Sequence, residues 1–578
     1  MMVNNGVAYK TILDAIMASP KKPYPENDSL RERLSYKAAP TLPNATLSFQ
    51  LMTRSEPPEL VMTTIQSLLA VKQATDEILI IDNNNTDTSM YQPVAAFCAI
   101  LDPALNVRFY HIDAVAGFKA GALNLALGLM NPDCSHLVVV DSDYQALPYA
   151  RDSIANAIKQ YPNHTLLQFP QFYRSAGQLD THSELNHYFN HHLYRPFNRK
   201  RALSTGTYAV IRRSDLLSLG GWSGASITED AQMGVLMHKR GFRSQFIPEV
   251  IATGLLPTSL NDLMCQRRRW IYGNMQVLSN YFSIAWPTNP QETVNTQSLS
   301  TRQTVEQISH PIISFNSSAI SSQYIKNKGE RLGYARAHLS QLSAWINFTG
   351  LFIFLQIATL FILGYALLKA QLSDATPDID ISLLTPLYLV YASYGVFIIR
   401  RLWAYLQDKA PLNKQLSQNH GSSIKMRVRA WFMHLNFWEL GALSWLPVLW
   451  GSEKPFVCTP KQEYIRTQSS LRRANVVALP KLILLLNIIT AVIVAPFSPL
   501  YSPLLFICAL IICTLKIGAA KVAFDNFRVP KKNPSSISIK SKPTVALAIN
   551  QSRKQTKSLK PLQPEIHTVF EDKKIINS

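Results

Sequence analysis

The chain has 578 residues, 47% of them hydrophobic, with 57 lysines and arginines against 37 acids and a formal net charge of +20. The length allows more than one domain; the charge raises nucleic acid as a partner, but no nucleic-acid-binding module or zinc spacing is present to support it. The six cysteines (98, 134, 265, 458, 508 and 513) form no C-x-x-C pair, which argues against a disulfide scaffold and for a reducing compartment.

Residues 1–45 are polar and proline-bearing, a lead-in with one short helix, and residues 11–18 are too short and polar for the apolar core of a signal peptide. Residues 47–53 read as a first strand and 59–69 as a helix. Residues 77–82 form a second buried strand ending on an acid and a turn, 107–111 a third and 137–141 a fourth. Strands alternating with helical stretches predict a parallel sheet with helices on both faces. Residues 281–335, rich in Ser, Thr, Asn and Gln, read as a polar flexible insertion.

The apolar runs at 342–368, 381–399, 482–496 and 500–515 are candidates to cross a hydrocarbon core of ~30 Å. Acids (Asp374, Asp378, Asp380) mark the loop between the first two, whereas 400–481 and 521–578 are rich in Lys and Arg. The positive-inside rule then places the residues before the first span, the central loop and the tail on the cytoplasmic side. Residues 431–450 are apolar too, yet carry His434 and Glu439 between basic flanks. Trp431, Trp438 and Trp445 recur there at seven-residue spacing, a stripe that predicts one helix lying in the membrane interface.

Three short stretches carry chemistry. The fourth strand runs into Asp141-Ser-Asp143; ligands of open α/β sheets sit at the carboxyl ends of strands, and two carboxylates there can face a hard divalent cation, although a solvated turn uses the same residues. Ser226 followed three residues later by Glu229 has the form of a capping box, with Asp230 in the first helical turn. In Gln266-Arg-Arg-Arg269-Trp270, an indole beside arginines suits a site that grips phosphates and stacks on a sugar ring.

In this order, Asp141-Ser-Asp143, Thr228-Glu-Asp230 and Gln266-Arg-Arg-Arg269-Trp270 resemble the D-x-D, T-E-D and Q-x-x-R-W motifs of family 2 processive glycosyltransferases, which include cellulose, hyaluronan, curdlan-type and mannan synthases. The resemblance covers residues 46–280 and extends more loosely into the apolar region. Within it, Lys119-Ala-Gly-Ala-Leu-Asn124 is similar to the K-A-G-x-L-N element, and residues 204–213 with Gly220-Gly221-Trp222 to the segment leading to T-E-D. Phe456-Val-Cys-Thr-Pro-Lys461 looks like the F-x-V-T-x-K gating loop of cellulose synthases, with Cys458 in place of valine.

The resemblance implies a Rossmann-like glycosyltransferase-A catalytic domain (46–280), a transmembrane helical region (336–520) and a basic cytoplasmic tail (521–578). It assigns Thr53, Glu56 and Asp82 to the nucleoside half of the donor, although the loop Thr53-Arg-Ser-Glu56 departs from the commoner asparagine-glutamate form. Lys119, Arg269 and the loop residues Thr459 and Lys461 fall to the donor diphosphate, and Gln168 and Gln171 to the donor sugar and acceptor. Asp141, counted with the donor-binding residues too, and Asp143 fall to Mg2+ or Mn2+, Glu229 and Asp230 to catalysis, and Gln266 and Trp270 to the acceptor. A nucleotide-activated sugar carries a good leaving group, so the site must neutralise the departing diphosphate and supply one base, Asp230, for the acceptor hydroxyl. One base without a nucleophilic carboxylate implies inversion.

The expected protein is therefore a multi-pass enzyme of the plasma (inner) membrane, surrounded by lipid and without nucleic acid, with its catalytic domain cytoplasmic. It moves a sugar, UDP-glucose being the default donor, onto a growing β-linked glycan. Addition of one sugar to a lipid acceptor, or an inactive nucleotide-sugar-binding scaffold, are the alternatives. Four spans are fewer than cellulose synthase-like chains carry, so a channel would call for the interfacial helix, a second copy of the chain or an accessory subunit.

Overall fold

Four runs of β-branched and aliphatic residues become strands where the sequence places them: β1 (Leu47–Thr53), β2 (Glu77–Asn83), β3 (Val107–Ile112) and β4 (His136–Asp141). The computed structural model describes residues 45–83, 86–113, 115–174, 179–257, 259–283, 328–372, 380–408, 424–451 and 468–527; the gating-like loop at 456–461, and with it Thr459 and Lys461, lies outside them. Helices α1 (Pro58–Leu69), α2 (Thr88–Ala99) and α3 (Phe118–Leu129) return the chain between the first strands. Side chains alternate across the sheet, as a two-residue period requires. Ile78 and Ile80 pack with Phe49, Ile65 and Val140 on one face, while Leu79 and Ile81 pack with Leu123, Val139 and Met233 on the other.

The sheet continues through β6 (Leu166–Gln168), β7 (Ala209–Arg212) and β8 (Ser244–Phe246), after the short β5 (Gln145–Ala146) and α4 (Ala150–Gln160). Its order is β3-β2-β1-β4-β7-β6-β8, and β5 pairs separately with β9 (Ala252–Thr253). The Rossmann-like glycosyltransferase-A expectation holds, but the sheet is mixed: β7 is antiparallel to both β4 and β6. The chain leaves β6 at the carboxyl edge, crosses that edge through α5 (Leu179–Tyr188), and can only return downward as β7. Along the same edge, Thr53 stands opposite Asp82 and Met52 opposite Asp141, so three candidate residues end neighbouring strands on one side.

Then come α6 (Arg213–Leu219), α7 (Glu229–Lys239), α8 (Leu260–Ser279) and α9 (Lys328–Leu342), followed by α10 (Gly350–Leu372) and α11 (Thr385–Leu406). The expected insertion is shorter than 281–335, because residues from Lys328 onward are helical. The first crossing helix starts at Gly350 rather than at residue 342. The apolar run has two uses: Leu342 packs with Leu203, Val235 and Val277, and Ala344, Trp345 and Ile346 pack with Ile271, Met433 and Phe437. Those residues complete the core shared by the sheet domain and the apolar helices.

Residues 431–450 do not form one helix with an outward indole stripe. They are divided among α12 (Ile424–Leu435), α13 (Trp438–Leu443) and α14 (Leu446–Leu449); Trp431 and Trp438 are buried in protein, and Trp438 Nε1 donates to Thr349 Oγ1 at 2.9 Å. Close packing forces this arrangement, since a Cβ on Gly441 would lie 2.2 Å from the Trp345 carbonyl oxygen. The run 482–496 is also not a straight crossing: α15 (Gln468–Ala478) and α16 (Leu482–Ile493) meet at a 64° bend. The 12 residues of α16 reach only ~18 Å. Glu439 accepts from the Leu482 and Ile483 amides at 3.2 and 3.0 Å, with Lys516 Nζ 3.2 Å away on α17 (Pro503–Asn526). Among the described residues, 350–370, 381–406 and 503–526 are helices long and apolar enough to cross a membrane, and the bent pair is a fourth if it counts as one.

Candidate active site

A cavity of about 280 Å³ opens where these strands end, lined by Thr53, Glu56, Lys119, Asp141, Asp143, Glu229, Asp230, Gln266, Arg269 and Trp270 among others. The sequence scatters these residues, and local packing explains why they meet. Gly117, at φ 80°, caps α3 and hands Lys119 to its first turn. A Cβ on Gly121 would stand 1.9 Å from the Ala116 carbonyl oxygen, so only glycine fits that turn. Asn124 then holds Trp222 in both directions: Nδ2 donates to its carbonyl and Oδ1 accepts its amide, both at 2.8 Å. Gly221 has φ 80° and no room for a Cβ against Asn124 Oδ1. The K-A-G-x-L-N and G-G-W elements are thus two halves of one clamp that aims the loop entering α7.

The capping box is not formed. Thr228 is the cap residue of α7 and makes no side-chain cap bond; Ser226 Oγ instead donates to the Gly273 carbonyl on α8 at 3.0 Å. Gln276 Oε1, also on α8, accepts the Ile227 amide at 3.1 Å, and a Cβ on Gly273 would strike the Thr228 side chain. The T-E-D and Q-x-x-R-W segments are therefore fixed to each other. Gln168 is a support, while Gln171 lines the cavity: Gln168 Oε1 accepts the Thr205 amide at 2.9 Å and Gln171 Nε2 donates to the Thr205 carbonyl at 2.6 Å. This loop brings Gly206, at φ 93°, within 3.2 Å of Asp230 Oδ2 by its would-be Cβ.

Charge concentrates at this point. Lys119 Nζ donates to Asp141 Oδ1 at 2.7 Å and stands 3.9 Å from Glu229 Oε1. Burial pushes the Lys119 ammonium down, but Asp141 and Glu229 outweigh it and the net shift is upward. Burial raises the Glu229 carboxyl. Burial, with Glu229 beside it, pushes Asp230 up to about 7, which poises it for proton transfer near neutral pH. Asp143 is buried, and its Oδ2 accepts the Leu255 amide at 3.0 Å. Asp82 lies behind the cavity wall, accepting from Thr53 Oγ1 at 2.9 Å and paired with His111 Nδ1 at 2.8 Å.

Part of the cavity wall is aromatic, and motif reading missed most of it. Tyr188 and Trp345 join Trp270 on the wall; the ring centroids of Trp270 and Trp345 are 5.1 Å apart. Tyr188 lies on a polar helix without a motif. Trp345 lies in an apolar run longer than one crossing requires, which was the available signal.

Two family models match: "Glycosyl transferase family 2" over residues 51–220 and "Glycosyl transferase family group 2" over residues 136–398. Residues 51–398 carry a glycosyltransferase family 2 domain. This glycosyltransferase is 27% identical over 236 residues to the UDP-forming cellulose synthase catalytic subunit of Xanthomonas axonopodis pv. citri (39% of this chain, 31% of that one). It is 26% identical over 206 residues to glucomannan 4-beta-mannosyltransferase 2 of Arabidopsis thaliana (33% and 37%). With cellulose synthase 2 of Novacetimonas hansenii it shares 34% over 73 residues (13% and 5%). The matches thus span between 5% and 37% of the length of these relatives. Among solved structures, the mannosyltransferase PcManGT of Pyrobaculum calidifontis, in complex with GDP-Man and Mn2+, aligns at 16% identity and a TM-score of 0.34, covering 59% of this chain and 94% of that one.

Proposed function

We propose that this enzyme transfers a sugar with inversion from a nucleotide-sugar donor, UDP-glucose by default, onto the end of a β-linked glycan, working from the cytoplasmic face of a membrane it spans. The observation that supports this best is one cavity lined both by a cation–carboxylate cluster and by aromatic rings, Trp270 among them. The diphosphate belongs beside Lys119 and Arg269, and the acceptor sugar on the Trp270 indole. Asp230, raised to about 7, takes the proton of the acceptor hydroxyl as its oxygen attacks the anomeric carbon. The bond to the diphosphate oxygen breaks on the opposite face, and the diphosphate leaves as an anion that needs no proton.

The donor set of Asp141 and Asp143 fits Mg2+ or Mn2+. Both are hard oxygen donors on the cavity wall, and among the described residues no cluster of three His, Cys, Asp or Glu forms a closed cage, which leaves coordination to diphosphate oxygens and water. When bound, such an ion would neutralise charge on the leaving diphosphate. The protein's own cations, Lys119 and Arg269, share that task.

Trp345 precedes Gly350, the start of a helix long and apolar enough to cross a membrane, and packs with Met433 and Phe437 of the C-terminal helices, which favours a product handed toward the membrane. Leu185, Phe189, Leu256 and Leu342 on the same wall suit a lipid-linked acceptor as the second reading. Incubating membranes with labelled UDP-glucose, GDP-mannose and UDP-N-acetylglucosamine and sizing the products separates the two. A long glycan supports the first reading, a single sugar on extractable lipid supports the second, and no turnover of any donor overturns both.

A further inference from the structure

Two elements meet at the base, and one helix holds both. The loop 203–207 approaches Asp230 at Gly206 and reaches Asp141 at Thr207, whose Oγ1 accepts the Asp141 amide at 3.1 Å. Its lead-in is tied to α9 by Gln341, which is 1% exposed. Gln341 Oε1 accepts the Leu203 amide at 2.8 Å, while Nε2 donates to the Arg201 carbonyl at 2.9 Å and the Ala337 carbonyl at 3.2 Å. Both N–H groups of the amide are used, so Gln341 lines the cavity with no donor left for a substrate. The second element is α7, which carries Asp230 in its first turn. Its last turn is tied to α9 as well. His238 Nδ1 and His338 Nε2 share a hydrogen bond of 2.7 Å, and His238 Nε2 stands 2.8 Å from Ser244 Oγ of β8. His338 Nδ1 meets the Tyr281 hydroxyl, just past α8, at 3.0 Å. Both imidazoles are fully buried, and burial holds them well below their usual range; neutral rings each give this chain one donor and one acceptor. His338 and Gln341 stand at i and i+3, neighbours on one face of α9.

We infer that His338 and Gln341 are positioning residues that set the gap between Gly206 and Asp230, and through it the reach of the base toward the acceptor hydroxyl. The inference rests on the reading of Asp230 as the base. A carboxylate taking a proton from an attacking oxygen works over a narrow range of distance, and a misplacement of ~1 Å can cost ~10²-fold in rate. Asp230 has a short side chain, so its reach is set by where α7 sits. The loop is also held by Gln168 and Gln171, and α7 is also held by α8 through the segment before it. Bonds from one face of α9 to both fix the two relative to each other. Because α9 runs on into the segment before α10, the same helix refers the base to the apolar region.

The test uses the full chain in detergent, with whichever of the three nucleotide sugars membranes turn over as donor. Gln341→Met keeps the length of the side chain but makes none of its backbone bonds. It should lower kcat about 10- to 100-fold and leave donor KM within about twofold. A double-mutant cycle then separates positioning from bulk stability. Once the base is gone its position has no value, so Asp230→Asn combined with Gln341→Met should turn over within about twofold of Asp230→Asn alone. His338→Phe keeps a ring but loses the bonds to His238 and Tyr281. It should show the same kcat loss and the same silence beside Asp230→Asn, and it decides the matter if Gln341→Met does not fold. A wild-type kcat in folded Gln341→Met overturns the inference. So does a full Gln341→Met penalty in the Asp230→Asn background, or a donor KM that worsens in step with kcat, the mark of a general structural role. If Asp230→Asn itself keeps turnover within about tenfold of wild type, the base reading has failed instead.

Discussion

The Lys119 ammonium donates to Asp141 across 2.7 Å, so the first acid of the D-x-D pair is already neutralised by the chain's own cation. The same nitrogen is 3.9 Å from Glu229, and a donor diphosphate entering the cavity meets it between two carboxylates. Lys119→Gln should raise donor KM by about 10- to 100-fold, the size of a lost charge-assisted hydrogen bond of ~1.5–3 kcal/mol. Initial rates against donor concentration measure this; an unchanged donor KM removes Lys119 from the donor site.

A divalent cation is expected in the working enzyme. Chelation with EDTA should stop transfer, and added Mg2+ or Mn2+ should restore it. Asp143→Ala should raise the metal concentration needed for half-maximal rate. Undiminished activity after thorough chelation and desalting would count against a cation at Asp141 and Asp143.

Asp230 gives two pH signatures. As a base it works deprotonated, so kcat/KM should rise with pH along an acid limb near 7, where the burial-raised value stands. Asp230→Asn should lower kcat by about 10²–10⁴ with donor binding largely kept. The stability effect runs the other way. A carboxyl whose pKa rises from 3.8 to about 7 on folding binds its proton more tightly in the folded state. Its contribution is fully present below the unfolded value and is lost as pH rises through about 7. Asp230→Asn should therefore melt higher than wild type at pH 8, with the gap closing toward pH 4. A variant melting below wild type at pH 8 contradicts the burial argument.

Gly206 tests how tightly the base is held. Its φ of 93° strains any other residue, and a Cβ there would lie 3.2 Å from Asp230 Oδ2. Gly206→Ala should cost about 1–3 kcal/mol of stability and lower transfer at least about tenfold through displacement of Asp230. Thermal melts and kcat together check this; wild-type values for both would show that the loop has slack.

Topology is independent of the chemistry. Tags after Lys461 and at the C-terminus should be reachable only from the cytoplasmic side, and one at Asp378 only from the opposite side. Labelling of Lys461 and Asp378 from the same side would overturn the orientation.

Strands β1 to β4 and most polar residues of the cavity were legible because each rests on a local signal, either a β-branched run of period two or an acid at a strand end. What the sequence hid was non-local. β7 is four residues long, and its antiparallel direction follows from where the chain crosses the sheet edge, not from its own composition. Ser226 and Glu229 had capping-box spacing, but α8 offered Ser226 a better partner in Gly273. The Trp431, Trp438, Trp445 spacing fitted a membrane surface as well as a buried seam, and packing against Trp345 and Thr349 chose the seam. Gln341 had no motif at all, because its meaning comes from Arg201 and Leu203, 140 and 138 residues away.

The carboxylate of Glu439 has a consequence for biogenesis. It receives the first amides of α16, yet its cation, Lys516, lies on α17 and is synthesised later. Until α17 has been made, the buried Glu439 carboxylate has its two amide donors but not the Lys516 ammonium. A chain truncated ahead of Lys516 is therefore expected to hold the bent pair less firmly than the full chain.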